Sequence, residues 1–165
     1  MEDSVDRIIA QWARARPDVD VSPMGVFGRL SRLTRLFEHA LQGVFAQYGL
    51  QPGEFDILAT LRRADVEGNG LTAGQLSEST MVTSGAITNR LDRLLAKGLI
   101  TRGTDPRSRR SIRVALTQHG LEVIDGALQD HVMNEERLLA TITAGKREQL
   151  EELLRALLHD HENRV

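Results

Sequence analysis

Between Thr83 and Arg113 stand eight basic side chains, Arg90, Arg93, Lys97, Arg102, Arg107, Arg109, Arg110 and Arg113, against two acidic ones, Asp92 and Asp105. This 31-residue stretch carries a net charge of +6, while the rest of the chain carries −8 and the whole only −2. The cationic island therefore sits on an anionic body, and the overall charge conceals it. Crowded guanidinium groups repel one another unless an anion neutralises them, and the flat, forked donor set of arginine matches phosphate and carboxylate oxygens.

Other chemistries lack their residues. The chain has no cysteine, which excludes disulfides, thiolate metal sites and thiol redox sensing. His119, His131, His159 and His161 form no recognised metal or catalytic spacing. No catalytic residue, metal ligand or cofactor site is expected, so the sequence reads as a binding protein and not an enzyme. Met1 to Val19 holds charges at Glu2, Asp3, Asp6 and Arg7 and no apolar run long enough for a signal peptide, and no later stretch could span a membrane. A soluble, cytoplasmic protein follows as the expectation.

The elements around the island carry start and stop signals. Asp3 to Ala15 reads as an amphipathic helix with Val5, Ile8, Ile9 and Trp12 on one side, ended by Pro17. Ser22 and Pro23 supply an N-cap and a first-turn proline. Val26, Leu30, Leu33, Phe37, Leu41, Val44 and Tyr48 then recur in steps of three and four up to Gly49, which predicts a helix about 40 Å long from its rise per residue. A third helix starts at Pro52 and presents Phe55, Leu58 and Leu61, and Gly68-Asn69-Gly70 marks a loop.

Thr72 and Gln75 form a capping box for a short helix ending near Thr80. A second helix from about Thr83 turns Ile87, Leu91, Leu94 and Leu95 inward, leaves Ser84, Thr88, Asn89 and Arg93 outward, and stops at Lys97-Gly98. Two helices so closely spaced predict a helix-turn-helix. Small polar residues on the second helix suit close approach to a base-lined groove, because such a helix reads base edges with its first turns. Leu99 to Arg102 and Ser111 to Leu116 read as strands flanking an arginine-rich turn, which predicts a wing suited to a narrow, negative minor groove. The candidate DNA-binding residues are Ser84, Gly85, Thr88, Asn89, Arg93, Arg107, Arg109 and Arg110.

Gln118 to about Ala140 and Ala144 to about His161 read as two further helices, the second with Leu150, Leu153, Leu154, Leu157 and Leu158 on one side. Their apolar surface exceeds what a small DNA-binding head can cover. They are expected to form a homodimer interface with the long helix from Ser22, presenting two recognition helices to a pseudo-palindromic site; an intramolecular three-helix bundle is the alternative. The fold expected is mainly α with a small β-hairpin, a winged helix-turn-helix with a helical dimerisation region and an added N-terminal helix. Residues 1–165 form one domain on this reading, with N-terminal helices over 3–48, the winged helix-turn-helix over 52–117 and C-terminal helices over 118–162.

From Phe37 onward this order of elements resembles the MarR family of bacterial repressors. The stretches that carry the likeness are Thr83-Ser84-Gly85-Ala86-Ile87-Thr88-Asn89-Arg90-Leu91, Leu94-Leu95-Ala96-Lys97-Gly98-Leu99-Ile100, Asp105-Pro106-Arg107-Ser108-Arg109-Arg110 and Leu116-Thr117-Gln118-His119-Gly120. The resemblance implies a transcriptional regulator of double-stranded DNA, with the first wing arginine, Arg107, in the minor groove. Repressor or activator depends on operator position, which the chain does not encode.

Trp12, Arg16-Pro17-Asp18-Val19-Asp20 and Gly28-Arg29-Leu30-Ser31-Arg32-Leu33 further resemble the urate-responsive branch and its trans-aconitate-responsive relatives. That resemblance implies ligand-binding roles for Trp12, Asp56, Arg90 and Arg102 and a small anionic effector, a purine or a polycarboxylate. Two arginines offer bidentate donors, Trp12 a flat face, and Asp56 a carboxylate for Arg90 when no ligand is bound. The alternative is that Asp56 and Arg90 form only a structural ion pair and Trp12 only packs.

Overall fold

Asp3 starts the first helix of the computed structural model, which describes residues 2–65, 67–79, 87–105 and 108–163. The chain forms two compact units, Met1–Gly43 and Val44–Val165. Its elements are α1 (Ser4–Ala15), α2 (Met24–Gln47), α3 (Pro52–Ala64), β1 (Leu71–Thr72), α4 (Ala73–Ser79), α5 (Ile87–Ala96), β2 (Ile100–Asp105), β3 (Ser108–Leu116), α6 (Gln118–Leu139) and α7 (Ala144–Glu162). The fold is mainly α with one small antiparallel sheet, as the sequence predicts.

In the first unit the Asp3 carboxylate accepts from the backbone N–H groups of Val5 and Asp6, and the Asp6 carboxylate accepts from the Asp3 N–H, a reciprocal cap for α1. Arg29 of α2 then donates to both carboxylates, at 2.8 Å to Asp3 and 2.6 Å to Asp6. Val5 is buried against Gly28, where a β-carbon would meet the valine methyl at 3.0 Å. Glycine at that position lets the two helices approach. Ser22 does not cap α2 as its position predicts: its N–H and hydroxyl both donate to Asp20, and the helix begins at Met24.

The second unit is built on α3. Phe55, Ile57, Leu58 and Leu61 of α3 are buried together with Leu76 of α4, Ile87, Leu91 and Leu94 of α5, Ile100 and Val114 of the sheet, and Ile124 and Ala127 of α6. Burial of apolar surface drives this packing, at about 25 cal/mol per Å². The strands run in the order β1-β3-β2, all antiparallel, with Leu71 opposite Val114 and Ile100 opposite Leu116. The predicted hairpin is present but longer than expected, reaching Asp105 on one strand and Ser108 on the other. The sequence reading missed β1, because two residues are too short for strand alternation to show.

Two junctions hold α5 in this frame. Gly98, at φ +68, ends the helix; its N–H donates to Leu95 O and that of Leu99 to Leu94 O, the paired bonds that close a helix at a left-handed glycine. Thr117 starts α6, its hydroxyl accepting from the Gly120 N–H at 2.9 Å and donating to the Gly98 carbonyl at 2.8 Å. A β-carbon on Gly120 would collide with the Leu99 carbonyl, so the motif Thr117-Gln118-His119-Gly120 is written by this junction.

α7 contributes no buried residue. Leu150, Leu153, Leu154, Leu157 and Leu158 are all exposed on it. Among the described residues, no helix is long and apolar enough to cross a membrane.

Candidate nucleic-acid interface

α5 carries the residue pattern that the sequence assigns to a recognition helix. Of the face expected to turn inward, Ile87, Leu91 and Leu94 are buried but Leu95 is exposed, and Thr88, Asn89 and Arg93 are exposed as expected. Ser84, Gly85 and Arg107 lie outside the described residues, as does the expected start of the helix near Thr83. Arg109 and Arg110 belong to β3, and their side chains lie outside the description. Arg113, at the base of the wing, donates from Nη1 to the Gly70 carbonyl at 2.7 Å. It thereby ties the wing to the loop before α4.

A carboxylate that the sequence reading did not single out fixes the other side of α5. Glu54 of α3 is wholly buried, and its two oxygens accept from Arg93 Nε at 2.9 Å and Lys97 Nζ at 2.6 Å. Its Oε2 also accepts from the Gln51 N–H, closing the N-terminal cap of α3, and Lys97 donates in addition to the Gly49 carbonyl. Burial pushes the Glu54 carboxyl upward, but the bonds from Lys97, Gln51 and Arg93 together outweigh it and hold the group below its ordinary range. Two signals could have found it: the Gln51-to-Glu54 capping spacing after Pro52, and the four-residue interval that stacks Arg93 and Lys97 on one face of a helix.

The four residues that the resemblance assigns to a ligand are placed as follows. Trp12 is on α1 in the first unit, 45% exposed. Asp56 on α3 and Arg90 on α5 are half-buried. No ion pair joins them among the described residues; the Arg90 guanidinium lies over Gly53, where any β-carbon would overlap it. Its buried Nη1 has no hydrogen-bond partner among the described residues. Arg102 on β2 pairs with Asp92 of α5 at 2.7 Å, a contact between wing and helix that the sequence did not foretell. Among the described residues no three His, Cys, Asp or Glu side chains cluster to hold a metal.

The MarR family model matches residues 48–111, from just after α2 to within β3. The HTH-type transcriptional regulator PecS of Dickeya dadantii is 39% identical over 150 residues, covering 91% of this chain and 90% of PecS. The chain belongs to the MarR family. It is thus a transcriptional regulator and not an enzyme. A second relative, the HTH-type transcriptional repressor YetL of Bacillus subtilis, is 28% identical over 74% of this chain and 72% of its own. Among solved MarR-family structures, a mutant MarR from E. coli complexed with operator DNA superposes with a TM-score of 0.72 at 25% identity, over 84% of this chain and 96% of that one. AbsC from Streptomyces coelicolor shares the fold with a TM-score of 0.74 at 22% identity, over 88% and 97% of the two chains.

Proposed function

We propose that this MarR-family regulator is a cytoplasmic homodimeric repressor that binds a pseudo-palindromic operator in double-stranded DNA and is released by a small anionic metabolite. The observation that carries the DNA-binding part is α5, docked on α3 by a buried apolar face with Thr88, Asn89 and Arg93 exposed, in a chain similar to a MarR that was solved with operator DNA. Thr88 and Asn89 read base edges, and Arg93 and the wing arginines Arg107, Arg109 and Arg110 meet phosphates and the minor groove, with Ser84 and Gly85 at the approach. The exposed leucines of α7 support a second copy as partner.

The anionic effector is supported by chemistry in the second unit. Arg90 sits on the DNA-reading helix with a buried, unoccupied donor among the described residues, and Arg102 pairs with a partly exposed carboxylate. An anion taken up by both arginines opposes DNA binding, because the two equilibria are reciprocally linked, by about 1–3 kcal/mol in typical cases. Trp12 and Asp56 complete the assignment by likeness to the urate-responsive branch.

Selecting from a pool of random duplexes tests the DNA reading. An inverted repeat with half-sites one or more helical turns apart is expected, and a pool that stays unenriched overturns it. Urate and trans-aconitate are then titrated against the selected duplex, following release and the fluorescence of Trp12, the single tryptophan. Release of the Trp12, Asp56 and Arg102 alanine variants as readily as the parent would overturn the ligand assignment.

A further inference from the structure

Glu54 is a wholly buried acid paired with Arg93 on the exposed side of α5, the helix proposed to read DNA. An anion so close to a phosphate-binding surface weakens binding by simple Coulomb repulsion, so its placement there needs a separate reason. The geometry supplies one. Glu54 engages only the Nε of Arg93, and the two Nη groups of that guanidinium have no hydrogen-bond partner among the described residues. The Arg93 side chain is 51% exposed, so its donor fork is held at one edge and open to solvent at the other. Lys97 is spent differently, its ammonium shared between Glu54 and the Gly49 carbonyl.

We infer that Glu54 is a positioning residue for DNA binding: it fixes Arg93 through Nε so that both Nη groups are presented as a preformed clamp for one backbone phosphate. A free arginine must give up rotamer freedom on binding, whereas this one has already done so on folding. The inference rests on α5 being the DNA-reading helix. The roles are divided: Arg93 makes the phosphate contact, Lys97 neutralises Glu54, and Glu54 never touches DNA.

Coulomb repulsion and positioning predict opposite signs for Glu54→Gln, which makes the test direct. Removing a negative charge near DNA strengthens binding if charge alone matters, and weakens it if the clamp matters. Affinity for a random-sequence duplex is measured against salt concentration, at a temperature where circular dichroism shows each variant folded. Arg93→Ala is expected to lower the salt slope by about one per subunit and the affinity by roughly tenfold. Glu54→Gln is expected to weaken binding several-fold in the parent and to have no such effect in the Arg93→Ala background. Arg93→Lys keeps the charge but has one terminal nitrogen for two tasks, so it is expected to behave like Arg93→Ala; this arm stands if Glu54→Gln fails to fold. Equal or tighter binding by Glu54→Gln, additive effects of the two substitutions, or a slope unchanged in Arg93→Lys each overturns the clamp. A parent protein whose binding shows no salt dependence would instead overturn the DNA reading itself.

Discussion

The Asp92 carboxylate of α5 and the Arg102 guanidinium of β2 lie 2.7 Å apart, so the recognition helix and the wing share one ion pair. Both side chains keep substantial contact with water, and exposed pairs of this kind contribute about 0–1 kcal/mol. Asp92→Asn is therefore expected to leave the melting temperature nearly unchanged. If Arg102 takes the effector, the same substitution removes a competing carboxylate and lowers the urate concentration needed for release. A titration of the variant and the parent on one duplex checks this; an unchanged midpoint would detach Arg102 from the ligand.

The wing arginine predicted to enter the minor groove is the second test. Arg107→Ala is expected to lower DNA affinity and reduce the salt slope by about one per subunit. Thermal unfolding is expected to match the parent. Binding isotherms at several salt concentrations decide it, and an unaltered slope removes Arg107 from the interface.

Acid stability should depend on Glu54. Its carboxyl is held below the ordinary range in the folded chain, so its ionised form stabilises the fold at neutral pH, and that contribution is lost as pH falls through the carboxylate range. Glu54→Gln is expected to cost about 1–3 kcal/mol at pH 7, with the gap to the parent closing on acidification. Melts across a pH series would show two parallel curves if this were mistaken.

Gly120→Ala places a β-carbon against the Leu99 carbonyl, in a junction with no flexible neighbour to yield. Overpacking of this type costs about 1–3 kcal/mol. Denaturant midpoints measure it, with Gly43→Ala, where no atom lies near the added carbon, as the control expected not to fall by as much.

Leu153 and Leu158 are among the most exposed leucines of α7. Replacing both with glutamate is expected to convert the dimer to monomer and, because two recognition helices no longer act together, to weaken binding to an inverted repeat more than to a half-site. Sedimentation of parent and variant at micromolar concentration gives the answer. A parent that sediments as a monomer and still binds tightly would remove the interface.

Much of the fold is legible in the sequence because its helices carry strong local signals. Asp3, Pro52, Thr72 with Gln75, and Gly98 mark ends of helices through bonds that span only a few residues, and each marks an end in the structure. What escaped is non-local. Glu54 meets Arg93 and Lys97 across 39 and 43 residues; the capping spacing from Gln51 marks it as a helix cap but not as a buried partner of two cations. Arg102 shows the same limit: its residue type matches the ligand set, but its partner, Asp92, is fixed only by the crossing of helix and wing. Ser22 shows the converse, a good local cap signal that goes unused: the Gly25 N–H bonds the Ser22 carbonyl, while the hydroxyl donates to Asp20.

Thr117 spends one hydroxyl on two helices, receiving the Gly120 N–H in the first turn of α6 and giving its proton to the carbonyl of Gly98, the glycine that closes α5. The end of the one is thus the foundation of the other. A push along the axis of α5 cannot be absorbed at a slack loop, since the bonds at Gly98, Leu99 and Thr117 leave no spare length. It must travel into α6 as a tilt. Over the 22 residues of that helix, a rise of about 33 Å, a one-degree tilt at Thr117 moves the far end by roughly half an ångström, so a movement too small to see at the DNA groove arrives enlarged at Leu139.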